Sequence, residues 1–292
     1  MRRTYKLKTI KKIMENNTNK LEYYKLFFIF FFIGITLRLT YITIPILEVL
    51  SNIQTDHAMI ARNLSINHFN IFNPEFDYLL PKFSILYYQF PLFSLIVSIF
   101  YSIFHTNYEW IGRLVSIGFA VWTALTIYRF GKIIFNKKSG FYASIIFLLS
   151  PLSIVYTRTF MPDSLNLFLA ITSIYYCYKW QGQNIKKYLY YSVTAYSLLL
   201  LCSLTHIYLL IPIIFLIKTK SKNVKQDLLR FISFAILAPI IWWLYKIISN
   251  SFWNQELINY CKNIFSFTLF FSLNFWKKIM GRLAGITLTP VA

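Results

Sequence analysis

Long apolar runs recur along the whole chain, and short polar segments rich in lysine and arginine separate them. Most runs approach the length of about 20 residues that an α-helix needs to cross a bilayer, and no alternating strand pattern interrupts them. Eight runs stand out, at residues 26–44, 87–104, 111–129, 141–159, 165–179, 188–203, 205–217 and 231–248. The pattern predicts an all-α, polytopic membrane protein.

Composition supports a membrane protein and argues against a soluble or nucleic-acid-binding one. Apolar residues make up 57% of the chain and charged residues only 14%, whereas soluble domains carry about 25% charged residues. The net charge of +20 comes from basic residues at the ends of apolar runs, with no single basic patch for nucleic acid. The three cysteines (Cys177, Cys202 and Cys261) have neither metal-ligand spacing nor the pattern of a disulfide framework.

The distribution of basic residues favours seven spans over eight. If all eight runs crossed the membrane, lysine and arginine clusters would fall on both sides, against the positive-inside rule. Segment 87–104 contains Gln89 and Pro91 and is rich in tyrosine and phenylalanine, which suits an interfacial position. With that segment on the outer interface, 20 of the 30 basic residues face inside. We therefore predict about seven transmembrane helices and a cytoplasmic N-terminus at the plasma or inner membrane.

This topology divides the chain into three parts. Residues 1–25 form a basic cytoplasmic N-terminus, and residues 26–248 form the transmembrane module, with an outer loop at 45–110. Residues 249–292 are predicted to be an outer interfacial segment. The same topology brings Asp56, in the long outer loop, to the membrane face where Asp163 begins the fourth span. Two carboxylates at one face can build a site.

The outer loop contains the first candidate carboxylate. Ile53, Ile60 and Leu64 recur at helical spacing, which predicts a short amphipathic helix on the membrane surface. Asp56 lies beside that apolar stripe. The sequence leaves two interpretations open, a helix N-cap and a catalytic carboxylate.

Asp163 and the outer cations have the same ambiguity. Asp163 follows a proline in FMPDSLN, where a helix cap and a functional acid are both possible. Arg158 and Arg62 face the same compartment, and each could anchor at the interface or bind a phosphate. Lys82 and His206 are weaker candidates for substrate binding, and His206 fits a hydrogen-bonded structural histidine. A further arginine, Arg38, lies inside the first span and needs a partner that the sequence does not name.

No nucleotide, zinc-protease or Ser-His-Asp motif occurs in the chain. An outward-facing transferase needs an activated donor on the outer side, and a lipid phosphate carrier would supply one. We predict no cofactor, and the sequence leaves a divalent cation open.

Several blocks of the chain resemble bacterial glycosyltransferase family 39. The segment TDHAMIARNLS, with NPEFD after it, resembles the first outer loop of that family. The following blocks QFPLFSLIVSIFY, EWIGRLVSIGFAVWTALTIYRFGKIIF and LLSPLSIVYTRTFMPDSLNLFLAI match in order, so the resemblance runs from about residue 25 to the C-terminus. The family belongs to the GT-C superfamily and is similar to protein O-mannosyltransferases and the lipid A aminoarabinose transferase.

The resemblance implies inverting transfer of a sugar from a polyprenyl-phosphate donor to a hydroxyl acceptor, which is a lipid, a polysaccharide or a protein. Asp56 matches the carboxylate taken as general base, and Asp163 matches the acid of the second outer loop. Arg62 is a candidate for the donor phosphate. His206 stands where many members carry a lysine, and Tyr88-Gln89 stand where relatives often have a glutamate. These departures weaken phosphate binding at His206 and a metal site near Gln89.

Other functional classes remain as alternatives. A carrier or flippase for lipid-linked sugars would share the aromatic interface and the outer arginines, but is expected to show repeats or broken helices. A structural membrane protein and an inactive relative are the others. Family members continue from a stretch like RLAGITLTPVA into further helices. We therefore expect a truncated or split enzyme that transfers weakly or not at all alone.

Overall fold

The computed structural model describes residues 25–46, 51–72, 74, 77, 89–249 and 272–288, apart from positions 27 and 222. Within these ranges the regular structure is entirely helical. The helices are α1 (Phe28–Leu39), α2 (Ser51–Ile66), α3 (Leu92–Phe104), α4 (Glu109–Ile134), α5 (Lys137–Leu149), α6 (Pro151–Arg158), α7 (Asp163–Gln183), α8 (Lys186–Cys202), a 3₁₀ helix (Leu204–Leu209), α9 (Leu210–Lys220), α10 (Val224–Ser249) and α11 (Leu273–Leu288). The predicted all-α fold is confirmed.

Two of the predicted spans differ in detail. Segment 141–159 is not one helix, because α5 and α6 meet at an angle of 63°. Pro151 cannot continue a helix from the preceding turn, and Ser150 accordingly has extended backbone angles. Segment 205–217 begins as the 3₁₀ helix before α9 continues it.

The number of spans remains a prediction. Among the described helices, α4 and the Val224–Lys246 part of α10 are long and apolar enough to cross a bilayer. The α5–α6 pair becomes a third if the two helices form one bent span. Phe28–Leu39, Leu92–Phe104 and Leu204–Thr219 are apolar but shorter.

Antiparallel helix pairs form the body of the protein. Helices α4 and α5 lie very close where Gly131 faces Gly140, since a Cβ at Gly131 would lie 2.6 Å from the Gly140 Cα. Helices α7 and α8 pack along their length, with the Ser192 hydroxyl donating to the Ser173 carbonyl at 2.7 Å. The buried core runs between these pairs and α3.

One end of the bundle, which we call the site end, collects the starts of α4 and α7 and the ends of α6 and α8. The Ser116 hydroxyl, near the start of α4, donates to the Thr159 carbonyl at 2.8 Å, which fixes that start beside the α6–α7 turn. Because α8 runs antiparallel to α7, α8 ends at the same place. The end of α10 joins it through Lys246, whose Nζ donates to the Phe72 carbonyl after α2 at 2.9 Å.

Helix α3 begins and ends at the site end. The Phe90 N–H donates to the Leu201 carbonyl at the end of α8, at 3.1 Å, and the far end of α3 leads directly into Glu109 of α4. A 13-residue helix with both ends at one face does not reach the other face. The interfacial position predicted for 87–104 stays a prediction, and residues 87 and 88 lie outside the described residues.

The opposite end carries the basic helix termini. They include Arg129 and Lys132 of α4, Lys137 of α5, Lys186 of α8 and Lys225 of α10. Lysine and arginine gathered at one end are typical of a cytoplasmic face. The orientation in the membrane nonetheless remains a prediction.

The buried Arg38 stabilises the break between α5 and α6. Its guanidinium is 1% exposed and donates to the Leu148 carbonyl at 2.7 Å, to the Ser153 hydroxyl at 2.8 Å and to the Thr157 hydroxyl at 2.7 Å. The break leaves carbonyl groups at the end of α5 without helical partners, and Arg38 supplies one. This network is the partner that the sequence could not name.

Candidate functional site

Asp56 lies within α2 and does not cap it. The helix is described from Ser51, so Asp56 follows a full helical turn, and its side chain is half-buried. The interpretation of Asp56 as an N-cap is therefore wrong. The predicted apolar stripe is also only partly correct, because Ile60 and Leu64 are buried but Ile53 is 42% exposed.

The buried face of α2 is more polar than the sequence suggested. It carries Gln54, His57 and Asn63 among its apolar residues, and it packs against α3. His57 Nδ1 lies 3.4 Å from the Ser94 hydroxyl, and the imidazole ring meets Phe93 edge-on. Burial lowers the pKa of His57 to about 4, since charging it would require desolvating an imidazolium ion. Protein contacts therefore hold this helix in position.

The turn between α6 and α7 is held by side chains from two distant helices. The Phe160 N–H donates to the Gln54 side-chain oxygen at 3.0 Å. The Ser116 hydroxyl lies 2.8 Å from the Thr159 carbonyl and 3.4 Å from the Met161 carbonyl. Buried backbone groups outside regular structure need such partners. The turn is thus fixed to α2 and to α4.

The Phe160 ring fills a notch that only glycine leaves open. A Cβ on Gly112 would lie 2.0 Å from the ring, and the ring also meets Phe93 edge-on with centroids 5.7 Å apart. Phe160 is fully buried. The close packing of its ring and the bonding of its backbone together fix the residues that follow it, including Asp163.

Asp163 is the first residue of α7, in the first turn, and Pro162 occupies the cap position. Asp163 therefore lies one position inside the helix and is not its cap residue. One carboxylate oxygen, Oδ2, is buried and has no hydrogen-bond partner among the described residues. A buried carboxylate oxygen without a donor is costly, which makes this side chain a candidate for binding a ligand.

Asp163 lines a groove in the angle between α5 and α6. The groove has a volume of about 490 Å³, and its polar lining includes Ser150, Ser153, Tyr156 and Thr157. Arg38 bonds to two of these hydroxyls from the protein side. The groove therefore combines hydroxyl groups and a carboxylate with apolar helix surface.

The cation candidates have different surroundings. Arg62 forms an ion pair with Asp77, and Asn63 Nδ2 donates to the same carboxylate at 3.0 Å. Arg158 is half-buried at the end of α6, and Lys82 lies outside the described residues. His206 Nδ1 lies 3.2 Å from the Ser203 carbonyl, as expected of a structural histidine.

Several residues that build this region were not predicted from the sequence. Gln54, Gly112 and Ser116 gave no signal, because their roles depend on contacts across the fold. Lys246 did give a signal in the sequence, since a lysine in the last turn of an apolar helix requires a partner or an aqueous path. Within the described part of the chain, no three metal-binding side chains come together.

Asp163, Arg158 and His206 lie in the part of the sequence that matches a known family. The model of dolichyl-phosphate-mannose-protein mannosyltransferases matches residues 89–252, more than half of the 292-residue chain. The chain belongs to this family. The dolichyl-phosphate-mannose-protein mannosyltransferase family is one of membrane glycosyltransferases in the GT-C superfamily, which confirms the predicted resemblance. The match begins after Asp56, Arg62 and Lys82, so their roles rest on the resemblance of the first loop. Searches of curated proteins and of solved structures gave no match.

Proposed function

We propose that this chain transfers a sugar from a polyprenyl-phosphate donor to a hydroxyl acceptor at the outer membrane face, with inversion at the anomeric carbon. Two observations together support this proposal: the family to which the chain belongs and a contact between two segments of the fold. In a chain of this family, the helix with Asp56 and the turn before Asp163 are joined at one end of the bundle through Gln54 and Phe160.

Asp56 is the proposed general base. It accepts the proton of the acceptor hydroxyl while the acceptor oxygen bonds to the anomeric carbon. The bond from that carbon to the phosphate oxygen breaks in the same displacement, and polyprenyl phosphate leaves with the electron pair. A single displacement of this kind inverts the configuration.

Asp163 and the cations have binding roles in this proposal. The carboxylate of Asp163 orients hydroxyl groups of donor or acceptor, because its buried oxygen lacks a donor among the described residues. Arg158, Arg62, Lys82 and His206 are the candidates to stabilise charge on the leaving phosphate. Arg62 is engaged by Asp77 and must exchange that partner to bind the donor.

An apolar groove between α3 and α4 suits the hydrocarbon chain of the donor. It has a volume of about 520 Å³ and is lined almost wholly by apolar side chains, among them Phe100, Trp110, Leu114 and Trp122. It lies beside α3, which begins and ends at the site end. A lipid tail in this groove would leave its phosphate near that end.

The direct test is a transfer assay on the purified chain in lipid nanodiscs. Radiolabelled polyprenyl-phosphate sugars are supplied together with cell-envelope acceptors, and labelled product is measured. We expect product that depends on the lipid phosphate and is not formed from a nucleotide sugar. Transfer from a nucleotide sugar, or no transfer from any polyprenyl-phosphate sugar, would contradict the proposal.

The outer-face orientation has its own test, in a cysteine-free background in intact cells. An impermeant thiol reagent should label Ile66→Cys, which is exposed at the end of α2, and should not label Lys138→Cys at the start of α5. Labelling of Lys138→Cys from outside would show that the topology is the reverse of the one proposed.

One observation favours a second candidate, a carrier of lipid-linked sugars. The 63° break at Ser150–Pro151 is the kind of broken helix that transporters use for binding, and the apolar pattern of 141–159 did not predict it. The chain reconstituted in liposomes would then move a fluorescent polyprenyl-phosphate sugar between leaflets. Equal movement by wild type and Asp56→Asn, without transfer by either, would favour the carrier.

A further inference from the structure

Gln54 is a buried polar residue to which the proposed reaction assigns no role. It lies in the same helix as Asp56 and is fully inaccessible. Its side-chain oxygen accepts the hydrogen bond of the Phe160 N–H at 3.0 Å, across 106 positions of sequence. The bond joins the helix of one candidate carboxylate to the turn that precedes the other.

Contacts from two other helices hold that turn in place, although it is not helical. Its Phe160 N–H is bonded by Gln54, and its Thr159 and Met161 carbonyls are reached by the Ser116 hydroxyl. The Phe160 ring closes the arrangement by filling the notch at Gly112. Helix α4 thus supplies two contacts to the turn, and α2 supplies the bond from Gln54.

We propose that Gln54 is a positioning residue that fixes the distance between Asp56 and Asp163. The expected effect of Gln54 on catalysis rests on the proposed function. The expected effect of Gln54 on the distance between the two carboxylates does not depend on that function. If the Gln54 oxygen is lost, a buried N–H loses its acceptor, and the turn must shift to find another. The shift carries Asp163 away from Asp56, while the packing of α2 on α3 is retained.

The test compares three variants. Gln54→Met keeps the length of the side chain and removes the acceptor, while Gln54→Glu keeps an acceptor oxygen. Gln181→Met makes the same replacement near the other end of α7, where the Gln181 amide nitrogen has no hydrogen-bond partner among the described residues. Gln181→Met therefore controls for loss of a buried amide as such.

The first readout is geometric and needs no turnover. Spin labels at Ile66→Cys on α2 and Leu167→Cys on α7, in a cysteine-free background in nanodiscs, report the distance between the two helices. We expect one narrow distribution in wild type, Gln54→Glu and Gln181→Met, and a broadened or displaced one in Gln54→Met. Hydrogen exchange of the peptide containing Phe160 should become faster in Gln54→Met alone. Unchanged distances and exchange in Gln54→Met would overturn the inference.

The second readout is kinetic. The shift moves Asp163 and leaves Asp56 in place, so kcat of Gln54→Met should fall by up to about tenfold, no further than in Asp163→Asn. KM for the donor should change by less than about threefold if Asp163 orients the acceptor, and it should rise if Asp163 orients the donor. Displaced helices with wild-type kcat would overturn the catalytic part. A wild-type chain that transfers no sugar, while the distances behave as expected, would instead refute the proposed function and leave the link between α2 and α7 standing.

Discussion

Asp56 and Asp163 are held in place by contrasting means. Asp56 lies inside a regular helix, and the buried face of α2 packs against α3 along its length. Asp163 follows a turn without regular structure, whose backbone groups are bonded by Gln54 and Ser116 and whose Phe160 ring is buried against Gly112. The first segment depends on helix packing, and the second depends on a few single contacts.

The contrast determines where each carboxylate is vulnerable. A substitution elsewhere in α2 can be absorbed by the remaining contacts of the helix. A substitution in α4 that touches the turn moves Asp163 even though it lies far away in sequence. We therefore expect Asp56 to be sensitive mainly at its own position and Asp163 to be sensitive at remote positions.

The largest expected effect is on the base itself. Asp56→Asn should reduce kcat by about a thousandfold, because general base catalysis contributes about 10²–10⁴ and the amide cannot accept the proton. The fold should be unaffected, since Asp56 does not cap α2. Transfer assays together with melting temperature measure both quantities. Near wild-type turnover of Asp56→Asn would move the base to another residue.

Asp163→Asn provides the contrast to that variant. Its transfer rate should fall less, by about tenfold, because this carboxylate binds and does not take the proton. Its melting temperature should hold or rise, since the replacement removes the charge from a buried oxygen that has no partner in the described part of the chain. A marked drop in stability would show that Asp163 is mainly structural.

The next effect comes from the notch at Gly112. Gly112→Ala places a Cβ at 2.0 Å from the Phe160 ring, so the ring must move, at a cost of about 1–3 kcal/mol. Gly182→Ala, in the last turn of α7, meets no atom within 4 Å and should be neutral or stabilising by up to about 1 kcal/mol. Thermal unfolding and transfer assays should show losses in Gly112→Ala alone. Equal behaviour of the two variants would refute the role of the notch.

A smaller effect, on the stability of the fold, is expected from a change in pH and arises in α2. His57 is buried in its neutral form, and its pKa is lowered from 6.5 to about 4. The unfolded chain therefore takes up the proton first, so stability is complete above pH 6.5 and is lost as pH falls toward 4. The loss between pH 7.5 and 5 should be about 2 kcal/mol.

The pH effect is isolated by comparing two histidine variants. His57→Gln cannot titrate and should remove most of the change in melting temperature over this range. His68→Gln, at an exposed position after α2, should retain it. An undiminished pH dependence in His57→Gln would place the titrating group elsewhere.

The smallest effect should come from the exposed ion pair of Arg62 and Asp77. Their side chains are 45% and 38% exposed, so Asp77→Asn should change stability by less than about 1 kcal/mol. If Arg62 binds the donor phosphate, releasing it from Asp77 should lower KM for the donor, and Arg62→Gln should raise it. The same KM in both variants would remove Arg62 from the donor site.

The spacing of apolar residues predicted much of the fold, and it failed at particular positions. It located the helices and the amphipathic character of α2. It placed Asp56 and Asp163 as possible caps, but Asp56 lies more than one turn inside α2 and Asp163 is the first residue after the cap position of α7. Capping depends on where a helix begins to within a residue, and sequence patterns do not fix boundaries so closely. The break at Pro151 was missed for a related reason, since an apolar run continues across it.

The sequence by itself determined the helical membrane fold, the family and the basic character of one end, because apolar run length, block order and charge clustering are all local in the chain. The tertiary structure alone decided how the carboxylates are held. The bond from Gln54 to Phe160, the notch at Gly112 and the network around Arg38 each join residues at least 48 positions apart. Buried backbone and polar groups need hydrogen-bond partners, and these contacts supply them. Only the packed chain shows which partner is within reach.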